Sequence, residues 1–228
     1  MNKRKINYIL YFVTFLIVVY YLLNLSGILV LYNNPTPSNE PNIPQGSKSL
    51  VTNFATPKRG DFVSYNFSDQ YSGKHKRVHR LIGLEGDKIE IRNGLVFVND
   101  VNFDKNLSLV HYYKFSKNNL EKIYETTPDY AFSFITKVDS ISLKTLIKDS
   151  EISKLKFKVD RLIESKNFVD AEIQSIYNKP WNKDNFGPLI VPKNKVFILG
   201  DNRDATFDSR NIGFIEKDEI VGVIIKVF

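Results

Sequence analysis

Four short blocks of the chain carry side chains able to do covalent chemistry. Ser38 lies in Pro35-Thr36-Pro37-Ser38-Asn39-Glu40-Pro41, where prolines hold the backbone extended or turned and present side chains instead of burying them. His79 lies in Val78-His79-Arg80-Leu81-Ile82-Gly83-Leu84-Glu85-Gly86-Asp87, and carboxylates crowd Gly200-Asp201-Asn202-Arg203-Asp204-Ala205-Thr206-Phe207-Asp208-Ser209-Arg210. The fourth block, Lys58-Arg59-Gly60-Asp61, precedes a β-type run. Each has a plainer reading: a proline-rich tether, a satisfied structural histidine, a loop of Asx turns, and a Gly-Asp turn. Together the first three supply what a nucleophilic hydrolase needs. A hydroxyl attacks, an imidazole takes its proton, and a carboxylate orients the imidazole, here in the order Ser38, His79, Asp208.

These groups need a scaffold, and the composition narrows it. The chain has 228 residues, enough for one well-cored domain or two small ones. Its 32 Lys and Arg exceed its 25 Asp and Glu by seven, and the basic residues are mixed with acids along the chain. That argues against a nucleic-acid binder, whose cations gather into a patch or arm. Cysteine is absent, which excludes disulfides, thiolate metal sites and a Cys nucleophile.

The N-terminus reads as an anchor. A basic cap, residues 1–5 with Lys3, Arg4 and Lys5, precedes an uncharged, mostly apolar run from Ile6 to Tyr32. A bilayer core of about 30 Å needs about 20 apolar residues as helix, so 6–32 is expected to be a transmembrane helix. A cleaved secretory signal would have a shorter apolar core of about 7–15 residues and a small-x-small site. Basic residues stay cytoplasmic, which places the N-terminus inside and residues 33–228 outside.

The remainder reads as mostly antiparallel β. Phe62–Phe67 has strand character, Asn93-Gly94 between Lys88–Arg92 and Leu95–Val98 is a strong hairpin signal, and Lys195–Leu199 and Ile220–Phe228 are further β-type runs. Between about 107 and 179 the texture changes, and amphipathic helices are expected near Ser140–Lys154 and Val159–Tyr177. This α/β segment is taken as an insertion in the β body.

The blocks together resemble the type I signal peptidase family, membrane-anchored serine proteases that cleave signal peptides from exported preproteins. The family's P-S-G-S-M-x-P-T-L corresponds to Pro35 through Ile43, G-D-x-V to Gly60 through Val63, and K-R-x-x-G-x-P-G-D to His79 through Asp87. G-D-N-R-x-x-S-x-D-S-R-x-x-G corresponds to Gly200 through Gly213, with Thr206 in place of Ser, and WNKDNFGP at Trp181–Pro188 is similar to a segment of some bacterial members. The resemblance implies an antiparallel β-sheet catalytic domain, no cofactor or metal, and preprotein signal peptides and the lipid bilayer as partners. It places the nucleophile on Ser38 and oxyanion donors on the Ser38 N–H and the Thr36 hydroxyl. It implies a bacterial inner-membrane, single-pass protein with a periplasmic catalytic domain.

The differences from the family pattern bear on the chemistry. Most bacterial members use a lysine base, and the matching position holds His79, as in members of the endoplasmic reticulum and archaea. An imidazole of pKa about 6.5 is already neutral at pH 7, whereas a lysine of about 10.4 must first be desolvated. Activity is therefore expected to fall below about pH 6.5 unless neighbours shift that value. Lys76 is the rival base, although strand alternation points it away from His79. Asp201 is the second choice for the acid, and Pro44-Gln45-Gly46-Ser47 offers an alternative nucleophile register at Ser47. Asn39 and Asn42 replace the family's Met and Thr beside Ser38. Two other functions share the pattern: a narrow-specificity envelope processing peptidase, and a catalytically inactive, membrane-tethered peptide-binding module.

Overall fold

The computed structural model describes residues 3–70 and 72–228. Met1 and Asn2 of the basic cap lie outside the described residues. The first element is a helix, α1, at Lys3–Leu25. It is long and apolar enough to cross a bilayer, and its apolar side chains are almost all exposed. A helix of this length and apolar surface fits a single-pass membrane anchor.

The helix expected over 6–32 is shorter than the apolar run. It stops at Leu25, Gly27 takes a φ of +73°, and Val30–Asn33 form a strand, β1. The left-handed backbone at Gly27 turns the chain, and the next residues find a better partner for their backbone groups in a neighbouring strand. Asn53 clasps this exit by donating its Nδ2 to the Ser26 carbonyl (2.9 Å) and its backbone N–H to the Gly27 carbonyl (3.2 Å). The sheet therefore begins within a few residues of the helix end.

The main sheet has seven strands. With β2 at Lys48–Thr52, β3 at Phe62–Asp69, β4 at Gly73–Gly83, β13 at Lys195–Leu199, β14 at Ile215–Glu216 and β15 at Ile220–Val227, its order is β1-β2-β15-β3-β4-β13-β14. Every pairing in it is antiparallel. Successive side chains on a strand face opposite sides, and both sides of this sheet are covered. Leu81, Val196 and Ile198 enter one core with Val63, Tyr65 and Val223. Ile82, Phe197 and Leu199 enter the other, against Ile89, Ile91, Val96 and Phe186. That second core is closed by a smaller sheet of β5 (Lys88–Arg92), β6 (Leu95–Val98), β7 (Val101–Asn102) and β12 (Phe186–Ile190), ordered β12-β5-β6-β7. Its hairpin turns at Asn93 and Gly94, both at positive φ (49° and 72°), which matches the right-handed twist of the strands it joins.

A third sheet, ordered β11-β8-β10-β9, combines β8 (Val110–Ser116), β9 (Thr136–Lys137), β10 (Ser142–Lys148) and β11 (Val159–Arg161). This corrects the helices expected near 140–154 and 159–177. β10 is an inner strand covered on both faces, with Ile147 in one cluster and Leu146 in another. Burial on both faces erases the alternation that marks a half-buried strand. Of the second expected helix only Ala171–Tyr177 forms, capped by the Asp170 carboxylate, which accepts the N–H groups of Glu172 and Ile173.

The third sheet is stitched to the acidic loop of 200–210. Val110 donates its N–H to the Asp201 carbonyl (3.1 Å) and accepts the Arg203 N–H (3.0 Å). Asp204 accepts the Tyr112 N–H and pairs with Lys183 (2.5 Å).

Candidate active site

Ser38 is held on a turn that the body grips from three sides. Pro37 accepts the N–H of Glu40, and Asn39 accepts those of Asn42 and Ile43. From the acidic loop, Asn202 donates its backbone N–H to the Ser38 carbonyl (3.0 Å) and its Nδ2 to the Pro37 carbonyl (3.1 Å). From β4, the Val78 carbonyl accepts Asn39 Nδ2 (2.7 Å), and Asn42 Nδ2 reaches Asp201 (2.5 Å) and the Ser108 carbonyl (2.8 Å). Asn39 and Asn42 thus fasten the Ser38 turn to its neighbours. The carbonyls of Pro37 and Ser38 are engaged, and among the described residues no group accepts the Ser38 N–H. The Ser38 hydroxyl lies 3.1 Å from that of Thr36.

Gly200 makes the close approach possible. A Cβ built there would lie 2.5 Å from the Ser38 carbonyl oxygen and would also collide with the Thr206 hydroxyl. Only glycine lets the two segments meet at this distance.

His79 comes from the middle of β4, on the face that carries Leu81, and is 3% exposed. Its Nδ1 is 2.9 Å from the Tyr65 hydroxyl on the adjacent strand and its Nε2 is 3.1 Å from the Thr206 hydroxyl. Either hydroxyl can donate or accept; in the tautomer whose Nδ1–H donates to Tyr65, Nε2 carries the lone pair and accepts the Thr206 O–H. Burial pushes the imidazole pKa down to about 4; Asp208 pulls it up, and Arg77 and Arg210 push it down further. A histidine in this state is neutral throughout the physiological range and able to accept a proton.

Ser38, Thr36, Asn39, Ile43, Lys76 and His79 all line a single cleft of about 330 Å³. Ser47, the alternative nucleophile, is outside it; its hydroxyl donates to the Pro44 carbonyl (2.5 Å) and accepts Asn34 Nδ2 (3.0 Å). Lys76 is exposed, with its Nζ over the Tyr32 ring at 5.6 Å. Neither acid expected to orient the imidazole is bonded to it. Among the described residues the ring's hydrogen bonds go to Tyr65 and Thr206. Asp208 accepts the Gly200 N–H, the Arg210 N–H and two guanidinium hydrogens of Arg210. Burial raises its pKa, but the Arg210 charge and hydrogen bonds outweigh that and hold it below the usual carboxylate range. Asp201 is paired with Arg80 at 2.8 and 2.5 Å. The reason is shared: a buried carboxylate beside an arginine gains more from a bidentate charged pair than from a neutral ring. Asp208 acts on His79 through its field instead of a hydrogen bond.

Reading the residue types missed Tyr65, Thr206 and Asn202. Hairpin alternation could have found Tyr65, since Val63 lies opposite His79 in the register and Tyr65 is two residues along on the same face. Thr206 stood in view within the acidic block, but its partner is 127 residues away, and no local pattern shows that pairing. Among the described residues no group of three or more His, Asp or Glu side chains is placed to hold a metal ion.

Comparison with known proteins adds an independent line. The family model described as signal peptidase, peptidase S26, matches residues 5–228. Signal peptidase I of Buchnera aphidicola subsp. Baizongia pistaciae is 26% identical over 186 residues, covering 80% of this chain and 58% of that protein. Signal peptidase I P of Bacillus subtilis subsp. natto is 31% identical over 175 residues, covering 75% of this chain and 59% of that protein. A crystal structure of a signal peptidase I from Enterococcus faecalis is 19% identical, with 75% of this chain and 97% of that chain covered and a TM-score of 0.35. The chain thus spans less than two thirds of the length of these two curated relatives.

Proposed function

Because the chain belongs to the signal peptidase family, peptidase S26, we propose that it is a membrane-anchored serine endopeptidase that removes N-terminal signal peptides from exported preproteins. The observation that carries this reading is the joint placement of Ser38, Thr36 and a neutral, buried His79 around one cleft.

The reaction follows from the groups present. An extended substrate lies in the cleft and pairs its backbone with the N-terminal stretch of β4, ahead of Arg80, where β13 does not reach. The Ser38 oxygen attacks the scissile carbonyl as its proton passes to His79 Nε2. The tetrahedral oxyanion takes hydrogen bonds from the free Ser38 N–H and the Thr36 hydroxyl, which turns from Ser38 to reach it. Collapse of the intermediate breaks the peptide C–N bond, and imidazolium returns the proton to the departing amine. Water, deprotonated in turn by His79, then releases the acyl group from Ser38. Tyr65 holds the ring through Nδ1 throughout, while the Thr206 hydroxyl, which occupies the Nε2 lone pair at rest, turns aside as the Ser38 proton arrives. The negative charge of Asp208 supports the imidazolium without touching it.

In this reading α1 spans the inner membrane, with Lys3, Arg4 and Lys5 on the cytoplasmic side and the sheets outside. The short link from Leu25 to β1 keeps the cleft close to the bilayer surface, where signal-peptide junctions emerge.

The acyl-enzyme is the direct test. Mixing the detergent-solubilised protein with a signal-junction peptide ester should add the acyl mass to the peptide fragment containing Ser38. An adduct at Ser47, or none while product forms, would refute the assignment.

A further inference from the structure

We propose that Asn53 makes the anchor and the catalytic body one rigid unit, so that the cleft stands at a fixed height above the bilayer and cuts only junctions set far enough beyond a membrane-embedded segment. This rests on the peptidase reading and names a further limit on its substrates. A tether between an anchor and a domain is ordinarily a flexible coil, and the last carbonyls of the helix before it bond to water. Here those carbonyls are taken up by the protein. Leu22 accepts the Ser26 N–H (3.0 Å), Leu23 the Leu29 N–H (3.2 Å) and Asn24 the Gly27 N–H (3.1 Å). The Ser26 and Gly27 carbonyls accept the Nδ2 (2.9 Å) and the backbone N–H (3.2 Å) of Asn53. A Cβ on Gly27 would lie 2.9 Å from Asn53 Nδ2, so the two segments are packed together as well as bonded.

The link of residues 26–29 is therefore fastened at both ends to the same sheet. Asn53 directly follows β2 and holds the start of the link, while β2 itself pairs with β1 from Val30 opposite Val51 to Asn33 opposite Lys48. So short a link, held at both ends, passes the direction of the helix on to the sheet. Phe54, next to Asn53 in the chain, is 87% exposed, an aromatic ring that leaves water when the bilayer surface reaches the level of the clasp. Asn33 and Asn34, at the far end of β1, line the cleft. Its near edge is thus at most about 13 Å of extended strand from the link, which an extended substrate covers with about four residues. A junction closer than that to its own membrane segment cannot reach Ser38 unless the body tilts toward the bilayer, and its effective concentration at the cleft falls toward zero. Asn53 does not line the cleft; it is a positioning residue, and the proton transfers remain with Ser38 and His79.

The test uses the full chain in nanodiscs. The chain has no cysteine, so Tyr11→Cys on α1 and Lys158→Cys on the body, both exposed, accept a pair of spin labels whose separation reports the joint. The distance distribution from pulsed EPR should be narrow. Asn53→Ala, or about six Gly-Ser residues inserted after Leu29, a coil of about 13 Å, should broaden it by about twofold or more. Cleavage is read on a soluble junction peptide and on a membrane-spanning apolar segment joined to the same junction by about two, four, six or eight residues. Every form of the protein should cut the soluble peptide alike. Wild type should cut the shortest tethered substrate about tenfold or more slowly than the best one, and the insertion should remove that difference. A broad distribution in wild type overturns the proposal, as does equal cutting at every spacing. A distribution left narrow by Asn53→Ala and broadened only by the insertion would overturn the role of Asn53. A narrow distribution that Asn53→Ala broadens, with no substrate cut, would uphold the rigid joint and refute the peptidase reading, and the spacing rule with it.

Discussion

The Thr206 hydroxyl stands 3.1 Å from His79 Nε2, the nitrogen that takes the proton of Ser38 in the proposed mechanism. A residue 127 positions further along the chain thereby fixes the base, while the carboxylate two residues beyond it, Asp208, is committed to Arg210. Thr206→Val should lower kcat by about 10- to 100-fold, less than the roughly 100- to 10,000-fold of losing an acid-base group itself, with little change in KM. Thr206→Ser keeps the hydroxyl and should retain most of the activity. Steady-state kinetics on one peptide separates the two, and equal losses in both variants would argue against a positioning role.

Asp208 is assigned to structure and field, which makes its removal a stability experiment. Asp208→Ala leaves the buried Arg210 guanidinium without its countercharge, a loss of about 3–5 kcal/mol. For a chain of this size that lowers the melting temperature by about 10 °C. A variant that melts like wild type yet has lost all activity would return Asp208 to direct contact with the imidazole.

The pH profile follows from the state of His79. Its folded pKa of about 4 lies below the ordinary 6.5, so the neutral base persists as pH falls and the acid limb of kcat/KM should lie near pH 4. An acid limb near pH 6.5 would contradict the burial of the ring. The same shift has a stability consequence. Between the two values the unfolded chain binds a proton that the folded chain refuses, so stability is full above about pH 6.5 and is lost as pH falls toward 4, by roughly 3 kcal/mol in all. His79→Gln, which does not titrate, should flatten that slope in melting curves taken from pH 7 to 4.

Gly200 is where the Ser38 turn and the loop that carries Thr206 touch. Gly200→Ala must push the Ser38 carbonyl and the Thr206 side chain apart. A displacement of about 1 Å at reacting groups costs on the order of 100-fold in rate. The variant should therefore fold, by circular dichroism, and lose about that factor in kcat/KM. Unchanged kinetics would show that the two segments can separate without consequence.

How far the sequence revealed this arrangement depended on whether a feature was local. The Asn93-Gly94 hairpin, the β-type runs of the main sheet and the apolar N-terminal helix were legible because turn chemistry, β-branched runs and apolar length are written in consecutive residues. The strand at Ser142–Lys148 was not, because burial on both faces hides its period. The end of α1 was not, because Ile28 to Tyr32 are as apolar as the helix itself and only the pairing of β1 with β2 takes them out of it. Within the site, Ser38, Thr36 and His79 were singled out by residue type and order, and all three line one cleft. The partners of His79 were not, since a bond between Thr206 and His79 or a competition for Asp208 by Arg210 is decided by packing between distant segments.

The central claim is that Ser38 and His79 cut a peptide bond, and it is tested most directly by cleavage of a preprotein by the detergent-solubilised protein beside Ser38→Ala and His79→Ala. The account predicts one cut at the signal junction with wild type and none with either variant, all three remaining folded. Retention of most activity in His79→Ala would move the base elsewhere, with Lys76 next in line, and retention in Ser38→Ala would remove the nucleophile on which the mechanism stands.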